Sequence, residues 1–148
     1  MTLQERMGQE IKAAMLAKDA DRLSALRMLK SAMGYAQIER KTESLSDTEV
    51  VAIVQKEVKK RRDSVEQFEK GGRQELADKE KKEITVLEMF LPQAMSAEDL
   101  EKLVRATIEE LGAKSKKEMG PVIKAVQSRA AGRADGRTIS ALVGKLLP

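Results

Sequence analysis

The sequence predicts an all-α protein, and three observations carry that expectation. Apolar residues return at three- and four-residue spacing along nearly the whole chain, which is the period of one helix face. Phe68, Phe90 and Tyr35 are the only aromatic side chains among 148 residues, whereas strands of sandwiches and barrels draw heavily on aromatic and β-branched residues. Helix starts and stops recur as Ser, Thr or Asp caps and as glycines. The expected architecture is an N-terminal bundle of about four helices over 1–92, followed by a small three-helix domain over 93–148.

Thr2 with Glu5 has the spacing of a capping box, opening a first helix with Leu3, Met7, Ile11 and Ala14 on one stripe. Asp19 or Asp21 can cap the second, where Leu23, Leu26, Leu29, Met33 and Ala36 line one face down to about Lys41. Ser46 with Glu49 repeats the box, and Val51, Val54, Val58, Val65 and Phe68 extend a long third helix to Gly71 and Gly72. The fourth is expected from about Arg73 to Phe90, with Leu76, Ile84, Leu87 and Leu91 aligned. Pro92 biases Leu91 out of helix and Ser96 opens a new cap, so the domain boundary falls here.

Beyond the boundary, Leu100, Leu103, Val104, Ile108 and Leu111 mark a fifth helix closed by Gly112, with Thr107 diluting its apolar stripe. Ser115 with Glu118 reads as a third box, opening a helix with Met119, Val122, Ile123 and Val126 that stops at Gly132. Pro121 is tolerable in its first turns, where a missing N–H costs little. Ile139, Leu142, Val143 and Leu146 mark the last helix. A three-helix unit of this size is marginal alone and should lean on the other helices or on a partner.

Composition removes whole classes of chemistry. With no cysteine and no histidine, thiol nucleophiles, imidazole bases, Cys or His zinc sites and disulfides are excluded. Carboxylate pairs such as Glu109–Glu110 or Asp47–Glu49 lack any neighbouring phosphate cradle or metal-loop spacing, so no catalytic residue, metal or cofactor is expected. Glu5 and Glu10 come too early for a secretory leader, and the longest apolar run, VVAIV, is too short to span a bilayer. A cytoplasmic protein without membrane partners is expected.

Charge is unevenly spread. Residues 1–92 carry 18 basic and 17 acidic side chains, while 112–148 carry 8 and 2. An anionic partner should therefore meet the C-terminal end. KEVKKRR, Lys56 to Arg62, is basic too, but Glu57–Arg61, Lys59–Asp63 and Arg62–Glu66 have i,i+4 spacing, which reads as a solvated face. Arg61 or Arg62 should lie over the core with its stem buried and its head in water. The eight methionines fall mostly on or beside core stripes and read as gap-fillers.

The C-terminal clusters differ. GAKSKKEMGP brings Lys114, Lys116 and Lys117 to a helix start, where unpaired amides favour an anion and cations oppose the macrodipole. GRADGRTIS repeats the pattern: Gly132 can end one helix, Asp135 can cap the next, Gly136 lets the chain turn closely, and Arg137 sits in the first turn. A cap-and-turn in which Arg133 or Arg137 steadies Asp135 is the competing account. Asp135 would also compete with a phosphate for the same amides. With Lys124, Arg129 and Lys145, the clusters form a candidate phosphate-facing patch, with Gly112, Gly120, Gly132 and Gly136 shaping the turns. No aromatic side chain is available there, so RNA would be met through shape and backbone charge.

LRMLKSAMGYAQIE, KEVKKRRDSVEQFEKGGRQELADKEKKEITVLEMFLP, GAKSKKEMGPVIKAV and GRADGRTISALVGKLL together resemble the YqeY family of small helical proteins, over essentially the whole chain. That resemblance implies a C-terminal region similar to the tail of the B subunit of the aminoacyl-tRNA amidotransferases, a tRNA-holding arm separate from their catalytic domain. It therefore implies a non-catalytic tRNA-binding accessory protein, with tRNA and a protein of aminoacyl-tRNA metabolism as partners. A carbon–nitrogen ligase with glutamine as amido-N-donor is the label the family carries through its shared domain. Nothing in the chain resembles the amidotransferase catalytic domain, its ATP site or its metal ligands. A helical protein–protein adaptor is the third reading.

Overall fold

The computed structural model describes residues 1–148, which form seven α-helices and no strand. They are α1 Leu3–Leu16, α2 Ala20–Arg40, α3 Asp47–Lys70, α4 Gln74–Glu88, α5 Ala97–Leu111, α6 Met119–Ala130 and α7 Gly136–Leu146, with a 3-10 turn at Lys116–Glu118. The chain divides into two compact units, Met1–Leu91 and Pro92–Pro148. Each has its own apolar core.

The predicted caps at Thr2 and Ser46 form as full boxes, Glu5 and Glu49 returning to the cap amides. At the start of α2 it is Asp19, not Asp21, that accepts from Arg22 N–H. Burial follows the apolar period with two shifts of register. In α3 Val50, Val54 and Val58 are buried while Val51 is half-buried, and in α4 Ala77 is buried where Leu76 was expected. α4 is also shorter than predicted, because Met89 to Leu91 leave the helix ahead of Pro92 while Phe90 still enters the core.

α3 and α4 run antiparallel, as their two cross-links show, and single ion pairs join the other consecutive helices of this unit. Glu10 pairs with Arg22, Arg40 with Glu49, and both Lys81–Glu69 (3.0 Å) and Arg62–Glu88 (3.8 Å) bridge α3 to α4. The expectation for Arg61 is corrected here. Its head group is not in water: the side chain is 5% exposed, with Nε donating to Glu83 Oε2 at 3.0 Å and Nη1 to Glu57 Oε2 at 3.1 Å. Arg62 reaches Glu88 across to α4, and Glu66 pairs with Lys70. Met7 and Met33 fill core space as expected, but Met1, Met15, Met28 and Met89 are exposed. An unbranched thioether is tolerated at either kind of site.

In the C-terminal unit, Ser96 caps α5 and Gly112 closes it in the left-handed region at φ 66°. Leu111 is exposed, and Thr107 is fully buried in its stead. Thr107 satisfies its hydroxyl by donating to Leu103 O at 2.7 Å, the back-bond open to a helical threonine. The Ser115–Glu118 box does not form: Ser115 makes no side-chain cap bond, and Glu118 instead accepts from Lys114 N–H at 2.5 Å. α6 ends one residue earlier than expected, on Ala131 in the left-handed region at φ 50°, with Gly132 following at φ 85°.

Candidate nucleic-acid interface

Two contacts orient the helices that carry the basic residues. A Cβ on Gly144 of α7 would lie 3.6 Å from Met119 Cε at the start of α6, and one on Gly136 would lie 3.3 Å from Gln127 Nε2 near its end. α6 and α7 are therefore antiparallel. Their N-termini lie at opposite ends of the pair, about 18 Å apart for a 12-residue helix at 1.5 Å per residue. The expected patch at two helix starts is thus divided: Lys114, Lys116 and Lys117 stand at one end, Arg133 and Arg137 at the other.

The helix starts are also less open to an anion than the sequence implied. Asp135 Oδ1 accepts from Thr138 N–H at 2.7 Å, so the first turn of α7 is capped from within. Glu118 brings a carboxylate to the entrance of α6, and Met119 N–H is taken by Lys116 O. At α7 the cap amide is thus already taken by Asp135, whereas no side chain caps the first turn of α6.

The three arginines and five lysines part company. Arg129 Nη1 pairs with Glu110 Oε2 at 2.7 Å and reaches Thr107 Oγ1 at 3.2 Å, tying α6 to α5. Arg133 Nε donates to Gln93 O at 3.0 Å while its own carbonyl accepts from Met95 N–H at 2.9 Å, so the segment ahead of α5 is strapped to the α6–α7 turn. Arg137 also takes part in an interaction within the chain. Lys114, Lys116, Lys117, Lys124 and Lys145 are all exposed, and none is in an ion pair. A planar guanidinium fork suits fixed internal contacts, whereas a hydrated ammonium keeps its stem mobile.

Helical geometry places Lys124 on the side of α6 away from buried Val122, Val126 and Ala130, and Arg137 on the side of α7 away from Ile139 and Val143. The Gln127–Gly136 approach puts these two outer positions near the same level. Lys145 lies on a different flank of α7, in its last turn, where its charge suits the macrodipole. Of the glycines expected to shape turns, Gly112 and Gly132 have positive φ; Gly136 is a helical residue that admits the Gln127 side chain; Gly120 lies inside α6 with open space around it.

Thr107, Glu110 and Gln93 are the residues that sequence reasoning missed, each distant in sequence from the arginine it holds. No group of three acidic side chains here could hold a metal ion. No helix is long and apolar enough to cross a membrane.

A family model described as Yqey-like protein matches residues 4–147. An uncharacterised Schizosaccharomyces pombe protein is 33% identical over 94 residues, 64% of this chain and 76% of its own length. Altered inheritance of mitochondria protein 41 of Kluyveromyces lactis, a mitochondrial protein, is 34% identical over 55% of this chain and 44% of its own length. Its Pyrenophora tritici-repentis counterpart is 26% identical over 87% of this chain and 71% of its own. The chain thus spans under half of one of these relatives and about three quarters of the others.

Proposed function

The chain belongs to the YqeY-like family, and from that premise we propose that it is a non-catalytic accessory protein that binds tRNA through lysines of its C-terminal unit. The observation that carries this reading is that Lys114, Lys116, Lys117 and Lys124 are exposed and held by no carboxylate, in a segment where 8 cations face 2 acids. Folding does not account for that arrangement. Lys116 and Lys117 directly precede α6 against its macrodipole, an unfavourable placement at low salt. A polyanion offsets it by releasing its counterions. Arg129 and Arg133 are withdrawn from the phosphate-contact set, since they hold the unit together; Lys145 contributes at its margin. The cytoplasm and a partner in aminoacyl-tRNA metabolism are part of the same proposal. Amide transfer from glutamine would belong to a larger assembly.

The reading is tested by fluorescence anisotropy with labelled tRNA across a salt series. Binding should weaken linearly in log–log form, and each of Lys117→Gln and Lys124→Gln should lower the slope by about 0.7–0.9. Equal affinity for polyglutamate, or a slope unmoved by both variants, would sink it.

A further inference from the structure

The outer face of α2 carries exposed apolar side chains; Met28 also meets the bundle, its sulfur 3.5 Å from Arg61 Nη2. Met28, Tyr35 and Ile38 are 51%, 75% and 76% exposed. With Ser24 and Ser31 they follow one another at steps of four, three, four and three residues, a single helical stripe. The stripe lies opposite the face that buries Ala25, Leu26, Leu29 and Met33. A shallow depression lined by Ala20, Ser24, Arg27, Met28 and Ser31 opens along it. Isolated exposed apolar residues are ordinary; a continuous stripe on one helix points to a partner surface.

Charge says which partner. At 100° per residue the two edges of the stripe differ in sign: Arg27 and Lys30 follow one edge, Asp21 and Glu39 the other. All four are exposed, and none is in an ion pair. A second copy of α2 placed parallel about a two-fold along the helix sets the basic edge of each copy against the acidic edge of the other. Arg27 then comes within about 9 Å, along the axis, of the level of Asp21 of the other copy. An antiparallel pair centred on Ser31 does the reverse, setting Lys30 against its own equivalent and Asp21 against Glu39.

We propose that this face is a self-docking surface, on which two copies of the chain associate through parallel α2 helices. Two helix faces of this length bury on the order of 1,000 Å² or less, the range of weak and reversible association. The apolar stripe supplies contact area, and the opposed edges fix the direction.

A chain without cysteine makes the test direct. Ser24→Cys and Ser31→Cys, both at exposed positions, are oxidised in the full-length protein after nuclease treatment, with exposed Ala52→Cys on α3 as the control. Parallel docking holds each cysteine beside its own equivalent, so both variants should form disulfide dimers about tenfold or more faster than the control. Adding Ile38→Glu should abolish that advantage, and should return any dimer seen by sedimentation to monomer. If Ser31→Cys cross-links and Ser24→Cys does not, the pair is antiparallel and the proposal falls. It falls equally if neither variant outpaces Ala52→Cys, or if the association is lost with nuclease and RNA was the bridge.

Discussion

Arg61 Nε lies 3.0 Å from Glu83 Oε2, with both side chains all but excluded from solvent between α3 and α4. The guanidinium also reaches Glu57 at 3.1 Å and the Met28 sulfur at 3.5 Å. A buried pair of this kind stabilises little relative to apolar residues of equal volume, because two charges have been desolvated, but removing one partner strands the other. Glu83→Ala should therefore cost about 3 kcal/mol in chemical denaturation, the low end for such a lesion since Glu57 remains. Arg61→Met combined with Glu83→Leu should recover most of that loss. A double variant as unstable as Glu83→Ala would mean that packing, not the stranded charge, governs the site.

Glu80, three residues from Glu83, has its carboxyl raised above the ordinary range, first by burial and then by the Glu83 charge. A carboxyl raised on folding destabilises the protein at neutral pH, and the cost is relieved as pH falls through the folded value toward the unfolded one. Glu80→Gln should accordingly raise Tm at pH 7. The gain should shrink on acidification and vanish below the ordinary glutamate range, near pH 4. A gain independent of pH would refute the assignment.

Glu49 shows the opposite sign. Its carboxyl is lowered, first by the Ser46 amide and then by Arg40. Its stabilising contribution is present above the unfolded value and lost as pH falls through the folded one. Between pH 5 and 3, Glu49→Gln should therefore lose less Tm than the parent does. A parallel loss in both would show that the capping box titrates without effect.

Ala131 closes α6 at φ 50°, a left-handed conformation that strains any residue with a Cβ, whereas Gly112 closes α5 at φ 66° without that strain. Ala131→Gly should stabilise the protein by a few tenths to about 1 kcal/mol, the gain being limited by the extra freedom of glycine when unfolded. Gly112→Ala should destabilise by about 1 kcal/mol. Equilibrium unfolding of the two variants should give opposite signs.

Arg129 and Lys117 should separate fold from binding. Arg129→Gln removes the 2.7 Å pair with Glu110 and the contact to Thr107, and should lower Tm. Lys117→Gln should leave stability within about 0.5 kcal/mol while lowering tRNA affinity at low salt. A Tm loss for Lys117→Gln equal to that of Arg129→Gln would show that this lysine serves the fold.

Most helix ends were legible because their determinants are local. The Thr2–Glu5 and Ser46–Glu49 boxes, the Ser96 and Asp135 caps and the closing Gly112 all lie within four residues of the groups they satisfy. The failures were of another kind. Ser115 and Glu118 have box spacing, yet a 3-10 turn shortens the entry to α6 and sends the glutamate back to Lys114. Thr107 read as a flaw in an apolar stripe until Arg129, 22 positions away, arrived beside its hydroxyl. The head group expected in water at Arg61 or Arg62 is, for Arg61, enclosed once α4 brings Glu83 over it.

What the sequence determined by itself was an all-helical chain, most of its helix boundaries and a cationic C-terminal end, because period, caps and net charge are properties of neighbouring residues. Which cations the protein uses for itself was decided only by tertiary structure. Antiparallel packing of α6 and α7 parts the two basic clusters, and carboxylates and carbonyls distant in sequence claim Arg129 and Arg133. Charge can be counted along a chain, but pairing depends on distances that exist only once the helices have met.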